Sequence, residues 1–131
     1  MKNRPGIFAF IISTLFFFAC TKDKGIPMGL ENNCNIPAIT SYSKDVQPLF
    51  DQYCVNCHSG ANPQGNLNLQ SESYLHLMKP STGYIDTINP KFSLLYAQMN
   101  STSNPMPPSG KLDKCKTDLI LKWIEQKAKN N

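Results

Sequence analysis

Length is the first thing in short supply. The chain has 131 residues, enough for one domain with appendages when domains run to roughly 100–200 residues, and this excludes a multidomain enzyme. Charge is sparse as well. Charged residues make up 17% of the chain and the net charge is +4, which rules out a polyelectrolyte tail, and no basic stripe interleaved with aromatics points to nucleic acid as a partner. No apolar run approaches the ~20 residues of a membrane-spanning helix. A phosphate-cradling loop, paired carboxylates and a nucleophile with a base beside it are all missing, so catalysis by this chain alone is not expected. Internal repeats and low-complexity segments are absent too. One Trp and two His stand against ten Pro and seven Gly, the composition of a loop-rich fold whose thin core something other than side chains would complete. What is plentiful is cysteine. Five in so short a chain can each be given a separate chemical task once the compartment is known.

The N-terminus supplies the compartment. Lys2 and Arg4 precede the apolar stretch 7–18, broken only by Ser13 and Thr14, and Ala19-Cys20 follows directly. That stretch is too short to span a bilayer and reads as the apolar region of a secretory signal. Cys20 after a small residue resembles the lipobox of bacterial lipoproteins, with Phe17 where Leu is usual. The expectation is a signal peptide over 1–19, cleavage before Cys20 and a lipid on its thiol. The mature protein would then sit on the periplasmic side of a bacterial membrane or on the cell surface, in an oxidising environment.

Residues 20–41 show neither helical nor strand periodicity and are rich in Asn, Gly and Pro, so they read as a flexible tether. The pattern changes at the domain proper, 42–131. Val46, Leu49, Phe50 and Tyr53 fall on one helical face, with Asp45 as N-cap and Pro48 in the first turn, where amides have no helical partner. A short helix is expected over Ser71–Met78, ended by Pro80, and another from Pro90 through Leu94, Leu95 and Met99. No helix can cross the loop 104–110, which holds Pro105, Pro107 and Pro108. Asp113 then caps a last helix with Cys115, Leu119, Ile120, Trp123, Ile124 and Ala128 on one face. The fold class is all-α, about four helices with long loops.

Cys54-Val55-Asn56-Cys57-His58 is the attachment pattern for a c-type haem. Thiols three apart on a helical turn share a face, about 5–6 Å between Cβ atoms, and can add to the two vinyl groups of one porphyrin, while His58 follows as proximal iron ligand. A thioredoxin-like pair would need a βαβ setting. Structural zinc would want a second close ligand pair, and Cys34, Cys115 and His76 are scattered singly. A simple disulfide between Cys54 and Cys57 leaves His58 without a role. For the sixth iron ligand the candidates are Met106, Met99, Met78 and His76. Met78 and Met99 lie at helical spacing, where core packing is the ordinary use of Met, and His76 reads as a partly exposed helix residue. Met106 sits in a loop that three prolines stiffen, which lowers the entropy of presenting one side chain.

The succession Tyr42-Ser43-Lys44-Asp45-Val46-Gln47-Pro48-Leu49-Phe50, the Cys-x-x-Cys-His motif, Gly65-x-Leu67-x-Leu69, Ser93-Leu94-Leu95-Tyr96, Met106-Pro107-Pro108 and Trp123-Ile124 resembles a monohaem cytochrome c domain of the planctomycete-type and related lipoprotein groups, over about residues 42–128. The resemblance implies thioether attachment at Cys54 and Cys57, His58 and Met106 as the axial pair, and terminal helices crossing beside one covalent haem c. Where family members often end the last helix in Gly-Ala, this chain has Lys127-Ala128. With one cysteine for lipid and two for haem, Cys34 and Cys115 remain, and paired they would tie the tether to the last helix. The expected function is one-electron transfer by a low-spin His/Met haem in a lipid-anchored monomer with redox-protein partners. Its rivals are an accessory haem domain of an oxidoreductase complex, or a sensor or peroxidase-like site should the Met ligand be labile. Six lysines from Lys111 to Lys129 form either a solvated face or a surface that steers an acidic partner.

Overall fold

The computed structural model describes residues 34–131; the signal segment 1–19, Cys20 and the tether up to residue 33 lie outside the described residues. The first helical segment opens earlier than the sequence pattern suggests. Ser41, not Asp45, is the N-cap: its Oγ accepts the Lys44 amide at 3.3 Å, and the Asp45 carboxylate accepts the Ser41 amide at 2.7 Å. Two orphan amides are thereby satisfied in the reciprocal manner of a capping box. Tyr42–Val46 forms a wide turn in which the amides of Val46 and Gln47 reach carbonyls five residues back, and it leads into α1, Gln47–Tyr53. Pro48 stands in the first turn of α1, where the amide it lacks has least cost. Val46, Leu49 and Phe50 are buried and Tyr53 half-buried, so the expected face holds although the start moves.

Helix α2, Ser73–Leu77, is shorter than the expected Ser71–Met78 and begins after Glu72, whose backbone is left-handed. The next helix departs from expectation for a clear reason. Pro90–Phe92 makes a single 3₁₀ turn, Ser93 breaks the path, and only then does α3, Leu94–Asn100, begin. Ser93 is fully buried, and its Oγ accepts the Asp86 amide at 2.9 Å. The amides of Leu94 and Leu95 go to the carbonyls of Gly83 and Tyr84, at 2.9 and 3.2 Å, instead of to the preceding turn. Long-range partners therefore outbid helix continuity.

Asp113 caps α4, Lys114–Glu125, by accepting the Lys116 amide at 3.0 Å. The far end closes as a Schellman motif: the amide of Lys127 bonds to Ile124 and that of Ala128 to Trp123, at 2.9 and 3.0 Å. Lys127 takes the left-handed position, φ 71°, that Gly usually fills, so the departure from Gly-Ala changes the residue and leaves the cap intact.

Helix α4 packs against α3, the Pro90–Phe92 turn and the Tyr42–Val46 turn. Trp123 is its fully buried centre. The Tyr42 ring centre lies 5.1 Å from that of Trp123 in a tilted pair and 5.3 Å from that of Tyr74 in an edge contact, arrangements that add to area burial. A chain of hydrogen bonds runs through this core: Tyr42 Oη donates to Ser73 Oγ, which donates to Gln47 Oε1, whose Nε2 donates to the Leu69 carbonyl. The end of α4 is stitched to the start of the domain, since Gln126 bonds both Thr40 and Ala38 and Asn131 accepts the amides of Tyr42 and Ser43. Cys34 and Cys115 form a disulfide with Cα atoms 5.3 Å apart, joining the segment before the domain to the first turn of α4. Among the described residues there are four α-helices and no strand, an all-α architecture, and no helix is long and apolar enough to cross a membrane.

Candidate functional site

The Cys54–His58 motif continues α1 by one tight turn. The Cys54 carbonyl accepts the amides of both Cys57 and His58, at 3.2 and 3.0 Å, which puts the two thiols on one side of the chain. The carbonyls of Cys57 and His58 are engaged further on. Gln64 donates its amide to Cys57 at 2.9 Å, and Leu69 donates to His58 at 2.7 Å, so the loop 59–69 is drawn back over the motif. A 3₁₀ turn at Gln64–Asn66, with Gly65 left-handed at φ 64°, aims the Gln64 carbonyl at the imidazole.

That carbonyl fixes the histidine. His58 Nδ1 lies 2.9 Å from Gln64 O, and a carbonyl can only accept, so the proton sits on Nδ1. The Nε2 lone pair is left available to a metal.

Cys54, Cys57, His58, Met99 and Met106 line one cavity of about 440 Å³, within the range of sites for cofactor-sized ligands. Its walls are largely apolar, from Leu67, Leu69, Leu94, Leu95, Pro107 and Leu112, and no Lys, Arg, Asp or Glu takes part. Met106 enters on the proline loop, which the Gln98 carbonyl on α3 holds by accepting the Met106 amide at 3.0 Å. Met99 comes from α3 itself and is buried, 3% exposed. Met78 and His76 do not line this cavity; His76 lines a separate cleft with Glu72, Lys79 and Tyr84. Cys54 and Cys57 are unpaired thiols. Burial pushes the Cys54 thiol up to about 11, so before any attachment it stays protonated at neutral pH.

A porphyrin needs an apolar, cofactor-sized space, two thiols on one wall, and ligand atoms free of other duties. The residues fit those needs: an imidazole held by Nδ1 with Nε2 unengaged, two unpaired thiols, and a thioether on a tethered loop. Among the described residues no three His, Cys, Asp or Glu side chains gather to hold a metal ion. The lysine-rich end is partly neutralised, because Lys114 pairs with Asp118, and Lys116, buried against the Tyr53 ring, pairs with Asp113. Cys20 lies outside the described residues.

The sequence pattern did not reveal the Gln64 carbonyl, the tyrosine that holds the neighbouring Gly65 carbonyl (Tyr84 Oη to Gly65 O, 2.8 Å), or the Gln98 anchor. Backbone acceptors leave no mark on residue type. Only the turn-rich stretch Ser59-Gly60-Ala61-Asn62-Pro63 carried a signal, marking that the chain leaves the helix just after the motif.

Residues 54–110 match the family described as Planctomycete cytochrome C. Over that stretch, less than half of the chain, the sequence is similar to a planctomycete-type cytochrome c-like domain, a haem-related electron-transfer type, and the match runs from the first motif cysteine past the Met106 loop. No curated protein and no solved structure matches the chain.

Proposed function

We propose that this chain is a one-electron carrier, holding one haem c through Cys54 and Cys57 with His58 and Met106 as iron ligands. The observation that carries the reading is the convergence of two unpaired thiols, a histidine with its Nδ1 proton committed to Gln64, and Met106 on one uncharged cavity. When bound, haem c supplies an iron that alternates between ferric and ferrous.

Everything else is the work of the chain. Cys54 and Cys57 hold the porphyrin as thioethers. The Gln64 carbonyl keeps the His58 ring oriented and its Nε2 free to ligate, and it makes that nitrogen more basic. Met106 offers a soft sulfur that favours the ferrous state and raises the potential. Leu67, Leu69, Leu94 and Leu95 exclude water, which disfavours the extra charge of the ferric form. Held by both His58 and Met106, the iron would be closed to substrate and oxygen, and the chain would move electrons without itself catalysing.

We place it as a monomer on the oxidising side of a bacterial membrane, anchored by lipid at Cys20, with redox proteins and not nucleic acid as partners. A reduced-minus-oxidised visible spectrum of the matured protein tests the ligation. A low-spin spectrum that resists carbon monoxide is expected. A high-spin ferrous form that binds it readily would instead favour the sensor or peroxidase-like reading. Exchange of Cys20→Ser should release the protein from membranes or block its maturation; unchanged fractionation refutes the anchor.

A further inference from the structure

Tyr84 is a half-buried residue that the cofactor chemistry does not use directly, yet it joins the supports of both ligand candidates. Its Oη donates to the Gly65 carbonyl at 2.8 Å, in the same three-residue turn whose Gln64 carbonyl holds His58 Nδ1 at 2.9 Å. On its backbone side, the Tyr84 carbonyl takes the Leu95 amide at the start of α3, the helix whose Gln98 carbonyl anchors Met106. The turn has backbone fastenings of its own, the Gln64 amide to Cys57, the Asn66 amide to Pro63 and the Leu67 amide to Gln64, but none of these holds the Gly65 carbonyl. Gln64, Gly65 and Asn66 are all exposed, Gly65 and Asn66 are left-handed, and the Gly65 side of the turn faces the solvent-open cleft that Tyr84 shares with His76 and Glu72. Two adjacent left-handed residues on a surface turn would ordinarily sample several conformations. The Tyr84 hydroxyl pins the peptide between those two left-handed residues from outside the turn, at the Gly65 carbonyl.

We propose that Tyr84 is a positioning residue for the iron's histidine ligand: by holding Gly65 it fixes the Gln64 carbonyl on His58 Nδ1 and so sets the donor strength of the imidazole. The proposal rests on the functional reading above. A strong Nδ1–H···O bond makes the imidazole a better donor, which stabilises the ferric state. Loosening the bond makes reduction easier and moves the midpoint potential upward.

The test uses the haem-loaded protein carrying Tyr84→Phe, which keeps the ring that walls the cavity and removes only the hydroxyl. Tyr74→Phe is the control, since Tyr74 also donates one hydrogen bond to a backbone carbonyl, Ala128 at 2.9 Å, without lining the cavity. Y84F is expected to raise the midpoint potential and to speed solvent exchange of the His58 ring N–H by about fivefold, the factor that one hydrogen bond of about 1 kcal/mol represents. The sulfur-to-iron charge-transfer band should persist. Y74F should lower stability by a similar amount and move neither readout. If Y84F loses stability as Y74F does while potential and exchange stay at wild-type values, Tyr84 is merely structural and the proposal falls. Should Y84F not mature, the wild-type holoprotein decides: a Tyr84 hydroxyl proton protected from solvent and close to Gly65 by NMR supports the proposal, and a freely exchanging one overturns it. A wild-type chain that emerges from maturation without haem overturns the functional reading and this proposal together, which separates the two failures.

Discussion

Two methionines line the cavity, and truncating each in turn distinguishes ligand from packing. Met99 is 3% exposed and part of the buried core beside Leu119 and Ile120. Met99→Ala removes a buried thioether chain from a place where α3 and α4 meet, so the loss of transfer energy plus the residual cavity should cost about 2–5 kcal/mol. Met106 is only half-buried, on a loop held by a backbone hydrogen bond from its own amide to Gln98, and that bond survives truncation. Met106→Ala should therefore cost about 1 kcal/mol in packing, with its main effect at the iron. Denaturant unfolding of the haem-loaded variants reads the first quantity; the sulfur-to-iron charge-transfer band of the ferric protein and carbon monoxide binding by the ferrous protein read the second. M106A should lose the band, bind carbon monoxide and show a lower potential, while M99A keeps the band and loses stability. A band that survives M106A and disappears in M99A refutes the ligand assignment.

Further outcomes follow from the frame around the cavity. Replacing Cys34 and Cys115 together by Ser opens a loop with a sequence separation of 81 residues, and denaturant unfolding should show a loss of up to about 4–5 kcal/mol in the chain-entropy account. Non-reducing peptide mapping should recover the two cysteines crosslinked. Burial pushes the Tyr42 phenol up to about 12 from its ordinary 10.0. The folded value is the higher one, so its contribution is complete below pH 10 and is lost as pH rises from there through about 12; an alkaline unfolding transition in that window should weaken in Tyr42→Phe. Lys127→Gly relieves a left-handed backbone at φ 71° and should stabilise the protein by about 0.5–1 kcal/mol in the same denaturation assay, even though the exposed bond from Lys127 Nζ to the Thr87 carbonyl is lost.

How far the sequence pattern reached depends on the range of the forces involved. The start and face of helix α4 were readable because their determinants are local, the Asp113 cap and the spacing of Leu119, Ile120, Trp123 and Ile124, but its end was not: Ala128, expected on the helical face, lies beyond Glu125 with a left-handed backbone. The attachment motif was readable because its chemistry is written in residue type. Starts and breaks were harder. Asp45 looks like a cap, but its carboxylate serves the amide of Ser41 instead. Pro90 looks like a helix start, but Ser93 is claimed by Asp86, and Leu94 by Gly83. The bonds that orient the candidate site end on the carbonyls of Gln64, Gly65 and Gln98, and any residue type could supply those.

The central claim is that Cys54 and Cys57 carry haem covalently. It is tested most directly by the intact mass of the chain made with cytochrome c maturation machinery and extracted with acid acetone. The account predicts the mature polypeptide plus one haem that survives the extraction. A polypeptide mass with no haem under those conditions contradicts it.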